Sequence, residues 1–589
     1  MPEILLQDFK VLSSLDLSGS LLLNIEAASF SGLEDTLLSL NLHGNRLSSL
    51  PQQPLTLHRL RRLDLSHNSL KELPRASFTG LTELMFLNLS NNPLLTSLPL
   101  NSLDPLSRLE VLDLTNTGMK LLSPDLLLRN PRLKWLSFAS NMIQEIPELA
   151  FQSQVNVTSL DLSNNHISNI RVPAFMGLAN LRKLNLEGNK LASFKGEFFI
   201  NRRSNGTLLE EINLSNNYLS YLFPSSFKVH PRLKRINVSQ NKFSFFPAEL
   251  IATLEYLQEV DLSKNYLKTL EEFDFGRLPN LRTVDLSYNQ IESISETAFH
   301  NSTQLQEIKL GRNKLEKLEE RLFQGLVRLK LWTYSTILRD LNVSHNNISQ
   351  VTDKVFEKTT LIESIDFSHN LITDVGGSFA HMWAQMRNLR SLDLSSNPIQ
   401  NILSGDLDNL GSLTTLKIAN LMQCAKIEKH LGYLDVAGML HYLPSLEYLD
   451  IEVKDSAIGS DQLSAGMNPR LTHLSVQGNR VQSISSGALA GLKSKQITIE
   501  FRNTTINNLP PSLLIPLPRS SKITLRVAGN QLSSISPQFL SALDDRRNEM
   551  SLQGLKDNPI HCDFTLNLVT LGRILYTHLI IKSCKRPED

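Results

Sequence analysis

The sequence predicts an α/β solenoid: a horseshoe with a concave parallel β-sheet and an irregular convex side of short helices, 3-10 turns and loops. Three observations carry this expectation. The pattern LxxLxLxxNxL has about twenty-two starts between Leu12 and Met550, successive starts lie about 24 residues apart, and a Phe recurs in the second half of many repeats. A chain of 589 residues would otherwise suggest about four globular domains. Stacked repeats escape that bound, because each buries its apolar face against the next and the core grows with repeat number.

Each part of the pattern has a physical task. The alternation in LRRLDLSHNSL from Leu60 is that of a strand with one face buried, so Leu63 and Leu65 point inward while Asp64 and Ser66 face out. The Asn that follows (Asn45, Asn68, Asn141, Asn189, Asn289 and Asn313) sits between core leucines. A buried amide must be hydrogen-bonded, and the backbone of adjacent turns can satisfy it, which predicts a ladder from repeat to repeat. Phe30, Phe78, Phe175, Phe227, Phe275, Phe299, Phe323 and Phe356 supply one large ring per repeat for the convex half of the coil. The pattern slips at Ser20, Thr117, Leu421, Lys454 and Thr504, where local irregularity is expected.

Charge excludes several roles. The 59 basic and 58 acidic side chains cancel, leaving no field that would draw nucleic acid or an anionic membrane. The first twenty residues lack the basic and apolar regions of a signal peptide. The most apolar stretch, Leu566 to Ile581, is too short for a span and carries Asn567, Arg573 and His578, so it reads as a buried helix.

Two intervals exceed the usual step by about nine residues. The first, LKLWTYSTI, brings Trp332 and Tyr334 to a place without a core slot. These are candidate partner contacts, against the alternatives of a loop folded on the convex side or an error in the gene. The second runs from Leu413 to Leu446, and the three-and-four spacing of its apolar residues reads as a convex helix opened by Cys424, either a small buried residue or an intermolecular thiol.

The repeat length and the segment NPIHCDFTLNL near the end together resemble the extracellular leucine-rich-repeat family. The family's cap pattern is NPxxCxC, a helix, then further cysteines. Asn558, Pro559 and Cys562 match it, Phe564 departs from the second cysteine, and Cys584 matches the third. The resemblance implies one disulfide, Cys562 to Cys584. It also implies an array over residues 1–549, of about 21 repeats and without an N-terminal cap, followed at 550–589 by the last repeat and a truncated cap. The chain is therefore expected to be a piece of a longer polypeptide, with membrane attachment through segments outside it. Within the family the long array is similar to chaoptin-type cell-adhesion proteins. That implies a protein partner at the cell surface, either the same chain on an opposing cell or another surface protein. The alternative is the ligand-binding ectodomain of a Toll-like receptor.

Nine N-x-S/T sites occur. Asn88, Asn213, Asn237, Asn342 and Asn347 arise as by-products of the repeat, whereas Asn156, Asn205, Asn301 and Asn503 lie outside it and support a secreted context. Glycans at Asn88, Asn213, Asn237 and Asn342 would obstruct the concave sheet and direct partners to a flank, or to the sequon-free runs Leu257 to Leu315 and Leu389 to Val481. Catalysis finds no support. Asp64, Ser66 and His67, and again Asp366, Ser368 and His369, fall together only because the repeat favours polar outward residues. No phosphate loop, dinucleotide fingerprint or zinc-ligand spacing is present, and no cofactor or metal is expected.

Overall fold

A computed structural model describes residues 11–560 except 200–205, 224, 249–252, 277, 324–325, 327–336, 353, 358, 400–401, 403–404, 421–435, 461, 464–467 and 545–549. The chain forms a parallel-sheet solenoid that divides into two compact units, Met1–Asn289 and Gln290–Asp589.

The first unit holds twelve parallel strands of three residues each, from Ser14–Asp16 to Thr283–Asp285. They pair in register one repeat apart, so that Leu40, Leu63, Leu87 and Leu112 form a continuous buried row. The second unit holds ten, from Glu307–Lys309 to Met550–Gln553. Its strands lengthen after Thr415, reaching nine residues at Gln496–Thr504. The pattern predicts the alternation correctly: Arg62 is exposed, Leu63 buried and Asp64 half-buried.

The predicted asparagine ladder is present in both units. Asn241 is typical. Its Nδ2 donates to Leu214 O of the preceding turn at 2.9 Å and to Val238 O of its own turn at 3.1 Å, while its Oδ1 accepts from Leu219 N at 3.0 Å. One side chain thus satisfies a donor and an acceptor that the preceding turn leaves open. Thr117 corrects an expectation. The pattern departs there, yet the turn stays regular, because Thr117 Oγ1 donates to Leu114 O at 2.9 Å and Asn141 Oδ1 accepts from both Thr117 N and Met119 N. Irregularity does appear nearer Thr504, where the register shifts between Gln477 and Gly478. A Cβ at Gly478 would lie 2.2 Å from Val453 O, so only glycine admits this approach.

The side opposite the strands carries the short helices and turns expected of it. 3-10 helices span Ala27–Phe30, Gly196–Phe199 and Leu555–Asp557, and α-helices span Gly377–Trp383, Val436–His441 and Pro537–Asp544. The helix Val436–His441 lies within the long interval read as helical. Residues 421–435, with Cys424, lie outside the described residues. All eight recurrent phenylalanines are buried, and successive rings meet, as at Phe151 and Phe175 (5.9 Å) and Phe323 and Phe356 (5.7 Å).

His230 occupies this aromatic layer. Its ring meets Phe199 edge-on at 4.5 Å, and its Nδ1 lies 2.6 Å from Thr207 Oγ1, while its Nε2 has no hydrogen-bond partner. Burial drives its pKa down from 6.5 to about 3, so the imidazole is neutral in the folded chain.

Two outcomes follow from these contacts. Asn241→Leu keeps the volume but leaves Leu219 N–H and Leu214 C=O unpaired, at roughly 1–3 kcal/mol for each group. Amide exchange at Leu219 should accelerate accordingly, and unchanged protection would refute the ladder's role. The depressed pKa of His230 means that the unfolded chain binds a proton the folded chain rejects. Its contribution is complete above pH 6.5 and falls by about 1.4 kcal/mol per pH unit as pH drops toward 3. Stability against pH should therefore slope less between 6 and 4 in His230→Gln than in the parent, and equal slopes would show that the ring does not stay neutral.

Candidate functional site

The outward face of the strands is largely occupied with itself. In the first unit two charge ladders cross three adjacent strands. Glu210 sits between Arg182 and Lys234 (2.8 Å to the latter), and Glu211 between Lys183 (3.0 Å) and Arg235. Hydrogen bonds from Lys234 and Arg182 hold the Glu210 carboxyl below its ordinary range. Burial pushes the Glu211 carboxyl upward, but Lys183 and Arg235 outweigh it and its pKa is also lowered. Elsewhere in this unit Phe86, Val111 and Trp135 pair in register as a half-buried apolar stripe, with the Arg62 guanidinium 3.7 Å from the centre of the Phe86 ring.

The second unit repeats the theme with more acid. Glu307, Asp340, Asp366 and Asp393 line a shallow depression with Lys309 and Lys417. Lys417 pairs with Asp393 at 3.3 Å, and burial together with Glu307 and Glu363 raises the pKa of Asp340. His345 and His369 stack at 3.8 Å beside Arg312. Further along, the buried Asp450 binds Arg502 and accepts from Gln477 Nε2 at 3.2 Å, while Tyr448 stacks on His473 at 4.5 Å. Among the described residues, no group of three or more His, Cys, Asp or Glu could hold a metal ion.

The sequons divide as the pattern implies. Asn88, Asn213, Asn237 and Asn342 are half-buried at the middle outward position, and each Oδ1 accepts from the backbone N of the serine two residues on, at 2.9–3.0 Å. Asp64 makes the same bond to Ser66, which shows that the sequon is the asparagine form of a bond the turn requires. Asn213 and Asn237 face each other across adjacent strands. Asn156, Asn301, Asn347 and Asn503 are exposed, and Asn156 Nδ2 donates to Pro131 O at 2.9 Å. Asn205, Trp332, Tyr334, Cys562 and Cys584 lie outside the described residues.

The residues that resemble a triad are in the wrong order for one. Ser66, read as outward, is buried and donates to Asp64 Oδ1 at 2.6 Å, and its other neighbour is His43 Nδ1 at 2.8 Å, from the preceding repeat. The acid holds the serine instead of orienting the imidazole, so no base is positioned to take the serine proton. His67 contacts Asn91 instead, at 3.1 Å.

The feature the sequence reading missed lies on the flank where the chain leaves the strands. Of nine exposed aromatic residues among those described, eight fall between Tyr218 and Tyr288 in the first unit, with Phe245 82% exposed. Tyr218 and Tyr266 directly follow the ladder residues Asn217 and Asn265, and Lys242 holds the same place after Asn241. The ladder fixes the backbone at these positions, so the side chain one residue later must point away from the core. The Lys242 ammonium lies 4.7 Å from the centre of the Tyr218 ring, that of Lys264 lies 5.9 Å from Tyr288, and Tyr221 meets Phe223 edge-on at 5.4 Å. The available signal was tyrosine where the pattern places no core residue.

Known proteins match along the same repeats. The leucine rich repeat family model fits residues 10–70, 58–119, 131–191, 231–291, 279–331 and 336–384, which is more than half of the chain. Further leucine rich repeat models fit residues 208–229 and 385–402. Tsukushi-A of Xenopus laevis is 39% identical over 88 residues, covering 14% of this chain and 24% of its own. Transforming growth factor beta activator LRRC32 of Mus musculus is 37% identical over 127 residues, covering 21% of this chain and 19% of its own. The chain thus spans a quarter or less of the length of these relatives. A chain of the Drosophila Toll–Spatzle complex superposes with a TM-score of 0.58 at 19% identity, covering 90% of this chain and 67% of that one, a likeness of fold.

The charge ladders are exposed enough for water to screen them, so Glu211→Gln should lower stability by less than about 1 kcal/mol in thermal unfolding. A larger loss would mean that the ladder, and not the buried leucine row, holds these strands together.

Proposed function

The chain belongs to the leucine-rich-repeat family, and on that premise we propose that it is an extracellular protein-binding solenoid that mediates cell–cell adhesion. The observation that carries this reading is the concentration of exposed aromatic residues on one flank between Tyr218 and Tyr288. Aromatic side chains are enriched at the centres of protein interfaces because each offers a large, stiff contact area at low entropic cost. The solenoid fixes these rings on a rigid scaffold, so many modest contacts act together and multivalency at a membrane raises their effect.

Other features agree with this reading. The strand face spends its charges on internal pairs and carries four half-buried sequons, which favours docking on the flank. Exposed Asn156, Asn301 and Asn503 support glycosylation and a place outside the cell. The likeness to a chain solved with Spatzle, and to a protein named as an activator of a growth factor, agrees with a protein as partner. We propose in addition that residues 550–589 form the last repeat and a cap closed by Cys562 and Cys584, and that Trp332 and Tyr334 extend the contact surface. No helix among the described residues is long and apolar enough to cross a membrane, so attachment falls to other segments of the polypeptide. Binding, without catalysis or a cofactor, is the whole of this role.

The test is cell mixing, with the chain displayed behind a signal peptide and anchor on non-adherent cells, against one another and against cells of the source organism. Displaying cells should aggregate, and Tyr218→Ala with Phe245→Ala and Tyr266→Ala should weaken aggregation at least about tenfold at equal surface density. Confirmed display without aggregation in either mixture would sink the adhesion reading and favour a soluble ligand, as for a Toll-like ectodomain.

A further inference from the structure

The aromatic flank is also a basic one, and its charge restricts what can dock there. In the four turns led by Asn189, Asn217, Asn241 and Asn265, four positions per turn reach this flank: the residue before the Asn and the first, third and fourth after it. None of these sixteen positions is Asp or Glu, whereas Lys190, Lys242, Lys264 and Lys268 occupy four of them. All four lysines are exposed, and none makes an ion pair among the described residues. The nearby carboxylates are engaged elsewhere: Glu187 accepts from Asn213 at 3.0 Å on the strand face, and Glu271 accepts from Thr269 at 2.7 Å. Unpaired cations therefore alternate with Tyr218 and Tyr266 along a row spaced by the repeat.

From this arrangement we infer that the flank binds an acidic, aromatic-bearing segment of a different protein. Carboxylates spaced along an extended segment can each meet one lysine, while its apolar side chains lie against the tyrosines. Such charge complementarity raises the rate of encounter and rejects like-charged surfaces. A second copy of this chain presenting the same flank would oppose lysine to lysine, so flank-to-flank pairing of two copies is disfavoured. Single-stranded nucleic acid, the other polyanion that meets aromatic rows, fits less well. Stacking needs open ring faces, and Lys242 already covers Tyr218 at 4.7 Å. The flank also carries no arginine at these positions to grip phosphate with two bonds.

This inference rests on the flank being the docking face proposed above, and the experiment separates the two. The full chain is tested for binding to fluorescein-labelled random poly(Glu,Tyr) by anisotropy, at 50 and 300 mM NaCl, with poly(Lys,Tyr) and an oligothymidylate as competitors. The expected result is saturable binding that weakens severalfold at the higher salt, is not displaced by either competitor, and falls at least tenfold in Lys242→Glu with Lys264→Glu. Lys495→Glu serves as the control at a distant position, and circular dichroism confirms folding of every variant. Absence of binding, insensitivity to the lysine reversals, or displacement by the oligothymidylate would each overturn the acidic partner. If cell aggregation is lost on removing the flank tyrosines but survives the lysine reversals, the docking face stands and only the acidic partner falls. If aggregation survives both sets of changes, the docking face falls with it.

Discussion

The buried asparagine after each strand is the constraint on which the other features depend. A solenoid turn leaves backbone donors and acceptors facing the next turn in an apolar interior, where an unpaired group costs several times what a paired one contributes. A primary amide is the smallest side chain that both donates and accepts there. Asn68 does so for the turn of Leu42 and Leu47, and Asn370 for that of Val343 and Ile348. Because the bonds run from one turn to the one before, the repeat spacing and the strand register are set together. Thr117 shows that the requirement is for the bonds and not for the residue, since a hydroxyl and a neighbouring amide share the task.

That constraint also explains where the surface is free to vary. Residues on either side of the ladder are held by bonds that do not involve their side chains, so they can be serine, lysine or tyrosine without disturbing the fold. On the strand face this freedom is spent on internal pairing, as Glu210 and Glu211 show, and on the bond from the middle outward residue to the turn. On the flank it is spent on tyrosine and lysine. A face whose charges are already paired loses those pairs when a partner arrives, whereas an unpaired row gains contacts without losing any. This asymmetry makes the flank the better docking surface, although the strand face is the wider one.

His230 illustrates a different use of the same scaffold. The aromatic layer on the side opposite the strands accepts an imidazole in place of a ring, with Thr207 as its single polar neighbour. Burial keeps that imidazole neutral. The layer tolerates one hydrogen bond there because the surrounding rings of Phe199 and Phe227 hold the histidine in place.

The repeat unit was legible in the amino-acid sequence because its periodicity is dense. Leucines at fixed spacing, an asparagine that must be bonded and a phenylalanine in the second half of the turn leave one way to bury them all. Strand positions, the buried rows and the half-buried sequons all follow from the pattern. The site was less legible, because the pattern constrains the core and leaves the outward residues open. Tyr218, Lys242 and Tyr266 read as three unrelated surface residues until stacking places them one turn apart on a common flank. Ser66 looked outward and is buried, held by Asp64 of its own turn and His43 of the one before. Sequence determines what each turn must bury, through local spacing. Only the packing of turn on turn decides which exposed side chains become neighbours, since those contacts join residues about 24 apart through a register that no single repeat contains.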